Sequence, residues 1–314
     1  MAAVVVTAPV LERQAVTRDC FLLRLRAPEV ARHVSPGQFV MVRLTRHSPV
    51  LLSRPLSVAD VGGGVRQLTD DGSPAGAGEA GAELPPEWLE LLIQVRHEGT
   101  QVLADLKSGD EVQVTGPLGF GFTVVADAAA HVCIGGGVGV APFPLLLRAI
   151  RRTAAAAPDP KGLYCLLGGP NRQRILFADR LAALGARVLT ATEDGSAGLR
   201  GKVTDLLPEV EREVGGLERA ALYVAGPTGL LEACARLAAE RGARCQLSME
   251  ARMGCGLGLC QGCVVKVRDA GGEGWHYRRA CYEGPVMWAE DVIFERAERP
   301  RHDRNNSQRR VAER

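Results

Sequence analysis

Residues 131–150 read HVCIGGGVGVAPFPLLLRAI. An apolar run with no polar alternation ends in glycines, and a proline then opens a second apolar stretch that carries on into RRTAAA. The first run has the pattern of a strand buried on both faces, and the second that of a helix. Gly135, Gly136, Gly137 and Gly139 form the turn between them. Taken alone, such a turn serves equally well for close packing and for a diphosphate, which sits against exposed N–H groups and a helix dipole.

The alternation continues downstream. GLYCLLGG (162–169), RVLTATED (187–194) and ALYVAGP (221–227) read as strands, and ILFADRLAAL (175–184) and GLLEACARLAAERG (229–242) read as helices. Alternating strands and helices predict a parallel sheet over residues 126–245. A second glycine turn, with Gly226 and Pro227, closes a later strand. Ligands of open parallel sheets bind outside the carboxyl ends of the strands, where both turns fall, and this favours a nucleotide.

Upstream the texture differs. CFLLRLRA (20–27), QFVMVRL (38–44), LLIQVR (91–96) and DEVQVTGP (110–117) are short β-like runs divided by turns such as SPGQ and KSGD. They predict a small antiparallel barrel over residues 1–125. The Gly, Ala, Asp and Pro-rich stretch 61–88 reads as a flexible surface hairpin loop, with the strand resuming at Leu91. Arg54, Pro55, Leu56 and Ser57 lie at a strand end, and Gly99 and Thr100 lie at a strand-to-helix junction. An arginine fork and a glycine beside a helix start suit a pyrophosphate, and the Ser57 hydroxyl suits a ring nitrogen.

Residues 246–294 form a third small unit. Cys255, Cys260, Cys263 and Cys281 give C-x4-C-x2-C…C, the plant-type [2Fe–2S] spacing. Gly254, Gly256, Gly258 and Gly262 permit a loop wound tightly round two irons, with N–H groups turned toward sulfur. A structural zinc site, the alternative, usually takes paired C-x2-C knuckles and fits this spacing poorly. Cys20, Cys133, Cys165, Cys234 and Cys245 stand singly in apolar segments and read as core thiols.

Nine cysteines without a secretion signal argue for a reducing cytoplasm. A formal net charge of +2 gives no reason to expect nucleic acid or an anionic membrane, and no apolar run approaches the ~18 residues of a membrane span. The Arg-rich tail 295–314 reads as a disordered, solvated tail, with a nucleic-acid arm as the alternative.

These parts in this order resemble the ferredoxin–NADP⁺ reductase superfamily. QLSMEARMGCGLGLCQGCVVKV (246–267) and RRACYEGPVMWAEDVIF (278–294) narrow the resemblance to the electron-transfer subunits of class B dihydroorotate dehydrogenases. GPLGFGF (116–122), TEDGS (192–196) and AGPTGLL (225–231) agree. The resemblance implies FAD on Arg54, Pro55, Leu56, Ser57, Gly99 and Thr100, and on Leu92, Ile93 and Gln94 just before. Ile93 and Gln94 depart from the aromatic residue and arginine that relatives often carry there. It implies a nicotinamide dinucleotide at the two glycine turns. Glu193 and Asp194 at a strand end, with no arginine until Arg200, would repel a 2′-phosphate, and this favours NAD over NADP. It also implies an FMN-bearing catalytic partner, in a heterotetramer of two plus two, from which electrons pass by way of [2Fe–2S] and FAD to NAD⁺. The gap between Cys263 and Cys281 is longer than usual and reads as an extended hairpin around DAGGEGW (269–275). Similar subunits serve sulfhydrogenases and ferredoxin:NADP⁺ oxidoreductases. A redox sensor would not need two nucleotide turns.

Overall fold

The computed structural model describes residues 3–45, 51–63, 85–154, 162–271 and 273–295. The tail read as disordered lies outside them, apart from Glu295, as does most of the 61–88 loop.

Six strands build the first half: β1 (Val4–Ala15), β2 (Cys20–Arg26), β3 (Phe39–Leu44), β4 (Arg54–Gly63), β5 (Pro86–Gln94) and β6 (Glu111–Leu118). They close into an antiparallel barrel in the order β1-β2-β5-β4-β3-β6. Closure depends on β1, whose first half pairs with β6 and whose second half pairs with β2 across an irregularity between Val10 and Glu12. Alternation sorts the faces: Val112 and Val114 of β6 are buried while Glu111 and Gln113 face water. Strand β5 begins at Pro86, earlier than the Leu91 expected from sequence. Trp88 pairs with both Arg26 and Gly62, and its ring lies where a Cβ on Gly62 would stand. Two short helices, α1 (Pro28–Ala31) and α2 (Glu98–Ala104), fill connections.

The second half holds β7 (Ala130–Gly136), α3 (Phe143–Ala154), β8 (Leu163–Gly169), α4 (Ala178–Ala183), β9 (Arg187–Thr192), β10 (Leu199–Arg200), α5 (Leu207–Val214), β11 (Ala220–Ala225), α6 (Thr228–Arg241) and β12 (Arg244–Ser248). A hairpin of β13 (Val264–Arg268) and β14 (Trp275–Arg279) follows, then β15 (Val286–Trp288). The large sheet runs β10-β9-β8-β7-β11-β12-β15; β7 to β12 are parallel and β15 is an antiparallel edge. Helices α3 and α4 cover one face and α5 and α6 the other, which is why β7, β8 and β11 read as unbroken apolar runs. Helix α4 is shorter than its sequence pattern, because Phe177 before it takes the left-handed conformation (φ 63°).

The cysteine segment is built into both halves. Strand β15 pairs with β12, and the Val286 N–H donates to Phe120 O at the end of the barrel. Phe39 and Met41 of β3 pack with Cys263, Ala280 and Cys281 in one buried cluster.

Candidate functional site

A cleft of about 1100 Å³ opens between barrel and sheet. Its barrel wall carries Arg54, Pro55, Leu56 and Ser57 from the start of β4, Leu92, Ile93 and Gln94 from the end of β5, and Gly99 and Thr100 from α2. The guanidinium of Arg54 lies on Gly99 so closely that a Cβ there would overlap its Nε. A side chain at 99 would displace the arginine from this position. The Thr100 hydroxyl serves the turn: it accepts from Arg96 N at 3.0 Å and donates to His97 O at 3.0 Å.

The facing wall is made at the carboxyl ends of β7 and β11, by Gly136, Gly137, Gly139, Gly226 and Pro227. The two turns touch backbone to backbone, since a Cβ on Gly139 would stand 2.7 Å from Gly226 Cα. Gly137 has φ +55°, open to glycine without strain. Gly135 does not line the cleft; a Cβ there would meet Phe143 and Val140 in the core. At the far end stand Glu193 and Lys202. Asp194 is outside the lining, and its carboxylate accepts from Ser196 N at 2.8 Å. That interaction with Ser196 holds its carboxyl below the usual range.

Sequence reasoning passed over several residues of the cleft: Phe39, Arg96, Arg174, Lys202 and Ser248. One signal was present for Arg96. It follows Gln94 by two residues, and strand alternation puts both on one face.

The four cysteines fall into two contacting pairs, Cys255 with Cys260 and Cys263 with Cys281. Backbone N–H groups are aimed at sulfur: Leu257 and Cys260 at Cys255 Sγ (both 3.4 Å), Gly258 at Cys281 Sγ (3.1 Å) and Cys281 at Cys263 Sγ (3.4 Å). Burial works against the Cys255 thiolate, yet the N–H groups of Cys260 and Leu257 bring its thiol down to about 6. Burial, with the Cys263 thiol beside it, pushes Cys281 up to about 12; a bound iron would offset that penalty. Gly256 (φ +73°) and Gly258 (φ +78°) supply left-handed turns, and Gln261 (φ 54°) supplies a third. Gly254 and Gly262 do not have positive φ. A Cβ on either would stand 3.4 or 3.7 Å from Cys260 Sγ, an ordinary contact, so these two glycines border the ligand without being forced by it. Soft thiolates in two pairs, wrapped by N–H donors, fit a two-iron cluster.

Residues 250–293 match the family model described as the iron-sulfur cluster binding domain of dihydroorotate dehydrogenase B, and residues 133–236 match the oxidoreductase NAD-binding domain. The electron transfer subunit of dihydroorotate dehydrogenase B (NAD(+)) from Caldanaerobacter subterraneus subsp. tengcongensis is 34% identical over 82% of this chain and 87% of its own length. The chain belongs to this family of electron transfer subunits. The family member from Desulforamulus reducens is 32% identical over 92% of this chain and 98% of its own length. Among solved structures, an NADH-dependent reduced ferredoxin-NADP oxidoreductase aligns with a TM-score of 0.69 and 25% identity, covering 91% of this chain and 89% of that one. A ferredoxin NADP+ reductase from Neisseria gonorrhoeae (TM-score 0.56, 16% identity, 76% of this chain and 92% of that one) shares the fold. Like its relatives, the chain is a subunit of an oxidoreductase and carries an NAD-binding and an iron–sulfur-binding domain. No helix among the described residues is long and apolar enough to cross a membrane.

Proposed function

We propose that this chain passes electrons from the FMN of a dihydroorotate dehydrogenase catalytic subunit to NAD⁺, using its own [2Fe–2S] cluster and FAD. Bound together, the cluster supplies one-electron relay and the flavin supplies exchange between single electrons and hydride. Arg54 and Gly99 hold the flavin's diphosphate, with Pro55, Leu56, Ser57, Leu92, Ile93, Gln94 and Thr100 along the same wall. The turns of Gly136, Gly137 and Gly139 and of Gly226 and Pro227 receive the dinucleotide of NAD, with Gly135 packing beneath. Glu193 bonds its ribose and disfavours a 2′-phosphate, while Asp194 shapes that turn. Cys255, Cys260, Cys263 and Cys281 are the cluster ligands.

One observation carries the reading. Phe39 lines the cleft and also packs with Cys263 and Cys281, so a single side chain borders both cofactor sites. The chain assembles as two copies with two catalytic subunits, and works in the cytoplasm, where its five buried core thiols stay reduced. The test is a separation of activities. The isolated holo-chain oxidises NADH with an artificial acceptor and leaves dihydroorotate untouched; adding the FMN-bearing subunit creates dihydroorotate:NAD⁺ activity. Dihydroorotate turnover by the chain alone would overturn the proposal. Reduction of ferredoxin or NADP⁺ in place of the coupled activity would favour instead the likeness to the ferredoxin-NADP oxidoreductase.

A further inference from the structure

Arg96 leaves β5 on the face of Gln94 and lines the cleft beside Arg54, Gly99 and Thr100. Two contacts fix it. Its N–H donates to Thr100 Oγ1 at 3.0 Å, and its Nε donates to Gln94 Oε1 at 2.9 Å. Gln94 is itself anchored, because its Nε2 donates to Asp19 Oδ2 at 2.9 Å, and Asp19 pairs with Arg174 Nη1 at 2.7 Å. The guanidinium is thus oriented by a polar chain that starts in the nucleotide half and ends in the barrel. Its outer edge is free of any hydrogen-bonded acceptor among the described residues. The nearest carboxylate oxygen in an ion pair, Glu250 Oε1, stands 3.8 Å from Nη1, with both side chains more than half exposed. That is too long for a hydrogen bond.

A cation held on one side and open on the other, in the cleft that Arg54 also lines, is an anion site looking into that cleft. A dinucleotide's diphosphate carries two negative charges, and Arg54 supplies one positive charge. We infer that Arg96, positioned by Gln94, is the second cation for the diphosphate of the flavin dinucleotide. The inference rests on the flavin reading of the barrel wall. Glu250 is the weak partner that the guanidinium gives up when the phosphate arrives.

The test is a titration of flavin-stripped full-length protein with FAD, followed by flavin fluorescence at several salt concentrations. Arg96→Ala should raise the Kd for FAD by ~10-fold or more, and should flatten its dependence on salt, because one phosphate contact is gone. Arg96→Lys should fall between, keeping the charge without the fork. Glu250→Gln should tighten FAD by removing the competing carboxylate. An Arg96→Ala protein with unchanged FAD affinity overturns the inference, as does weaker binding with an unchanged salt slope, which marks a merely structural role. An unchanged FAD affinity with a raised KM for NADH would assign the site to the other dinucleotide. Arg54→Ala is the control for the parent reading: if wild type binds no FAD, or Arg54→Ala has no effect, the flavin wall itself fails, whatever Arg96 does.

Discussion

Arg180 Nη1 lies 2.6 Å from Glu90 Oε1, tying α4 of the nucleotide half to β5 of the barrel. The same guanidinium reaches Asp60, as does Arg148 from α3, and Arg24 Nη2 sits 3.0 Å from Glu90 Oε2. Both carboxylates are 2% exposed. Removing one partner from a buried network leaves the others uncompensated. Glu90→Gln should therefore cost about 3 kcal/mol in urea unfolding. It should also split a single transition into two as the barrel and the sheet separate. A loss below about 1 kcal/mol, the range of exposed pairs, would show that the network is not what joins them.

His131 is buried, stacks on Tyr223 and has Nδ1 3.1 Å from its hydroxyl. Burial, aided by the charge of Arg244, brings its pKa down from 6.5 to about 4. The unfolded chain therefore takes up this proton first as the solution is acidified. Stability from neutral His131 is whole above pH ~6.5 and is lost progressively as pH falls toward ~4. His131→Gln should flatten the stability-against-pH curve in that window, by up to about 3 kcal/mol between its ends. An unaltered slope would refute the assignment.

Cys260 is exposed, whereas Cys281 is buried against Phe39 and Met41. Cys260→Ser should abolish iron and sulfide content with little change in the stability of the cluster-free chain. Cys281→Ser should abolish both metal content and about 1–3 kcal/mol of that stability, because a hydroxyl is buried where a thiol packed. Iron and sulfide analysis of anaerobically purified protein, with thermal melts of the stripped chains, decides it. Stoichiometric zinc without sulfide would refute the cluster.

Gly139→Ala forces the two nucleotide turns apart, since its Cβ meets the backbone of Ala225 and Gly226. The barrel wall is untouched. NADH KM should rise ~10-fold or more while FAD content is kept, as expected when a misplaced contact costs at least 1.4 kcal/mol. Equal KM values would remove Gly139 from the site.

Glu193 is the cleft-lining carboxylate at the sheet's far end, and Lys202 lines that end too. Glu193→Ala should raise the ratio of NADPH to NADH efficiency by ~10-fold, because the charge that repels a 2′-phosphate is gone and the lysine remains. An unchanged ratio would place discrimination elsewhere.

Much of this was legible in sequence because the patterns are local. Ligand spacing fixes the cysteines within one short loop, β6 shows its alternation residue by residue, and β7 and β8 show unbroken apolar runs. What stayed hidden depends on partners far along the chain. Asp60 sits between Ala59 and Val61 with nothing nearby to mark it, and its arginines come 88 and 120 residues later. Gln94 read as a departure at a flavin-binding position, because its role is to orient Arg96 and to meet Asp19 at the start of the neighbouring strand β2, 75 residues earlier in the chain. The three residues of β15 are too few to announce a strand, and only the register with β12 makes them one.

That register has a further meaning. Many electron carriers ride on a tethered domain that commutes between donor and acceptor, so thickened solvent slows them. Here Ser248 pairs with Val286 and Gln246 with Trp288, and Val267 bridges to Val292, so the ligand loop is stitched at both ends into the sheet that binds the nucleotide. The distance from cleft to cluster is set once, when the chain folds. A loop held at both ends by strand pairing is placed by the fold and not by a linker.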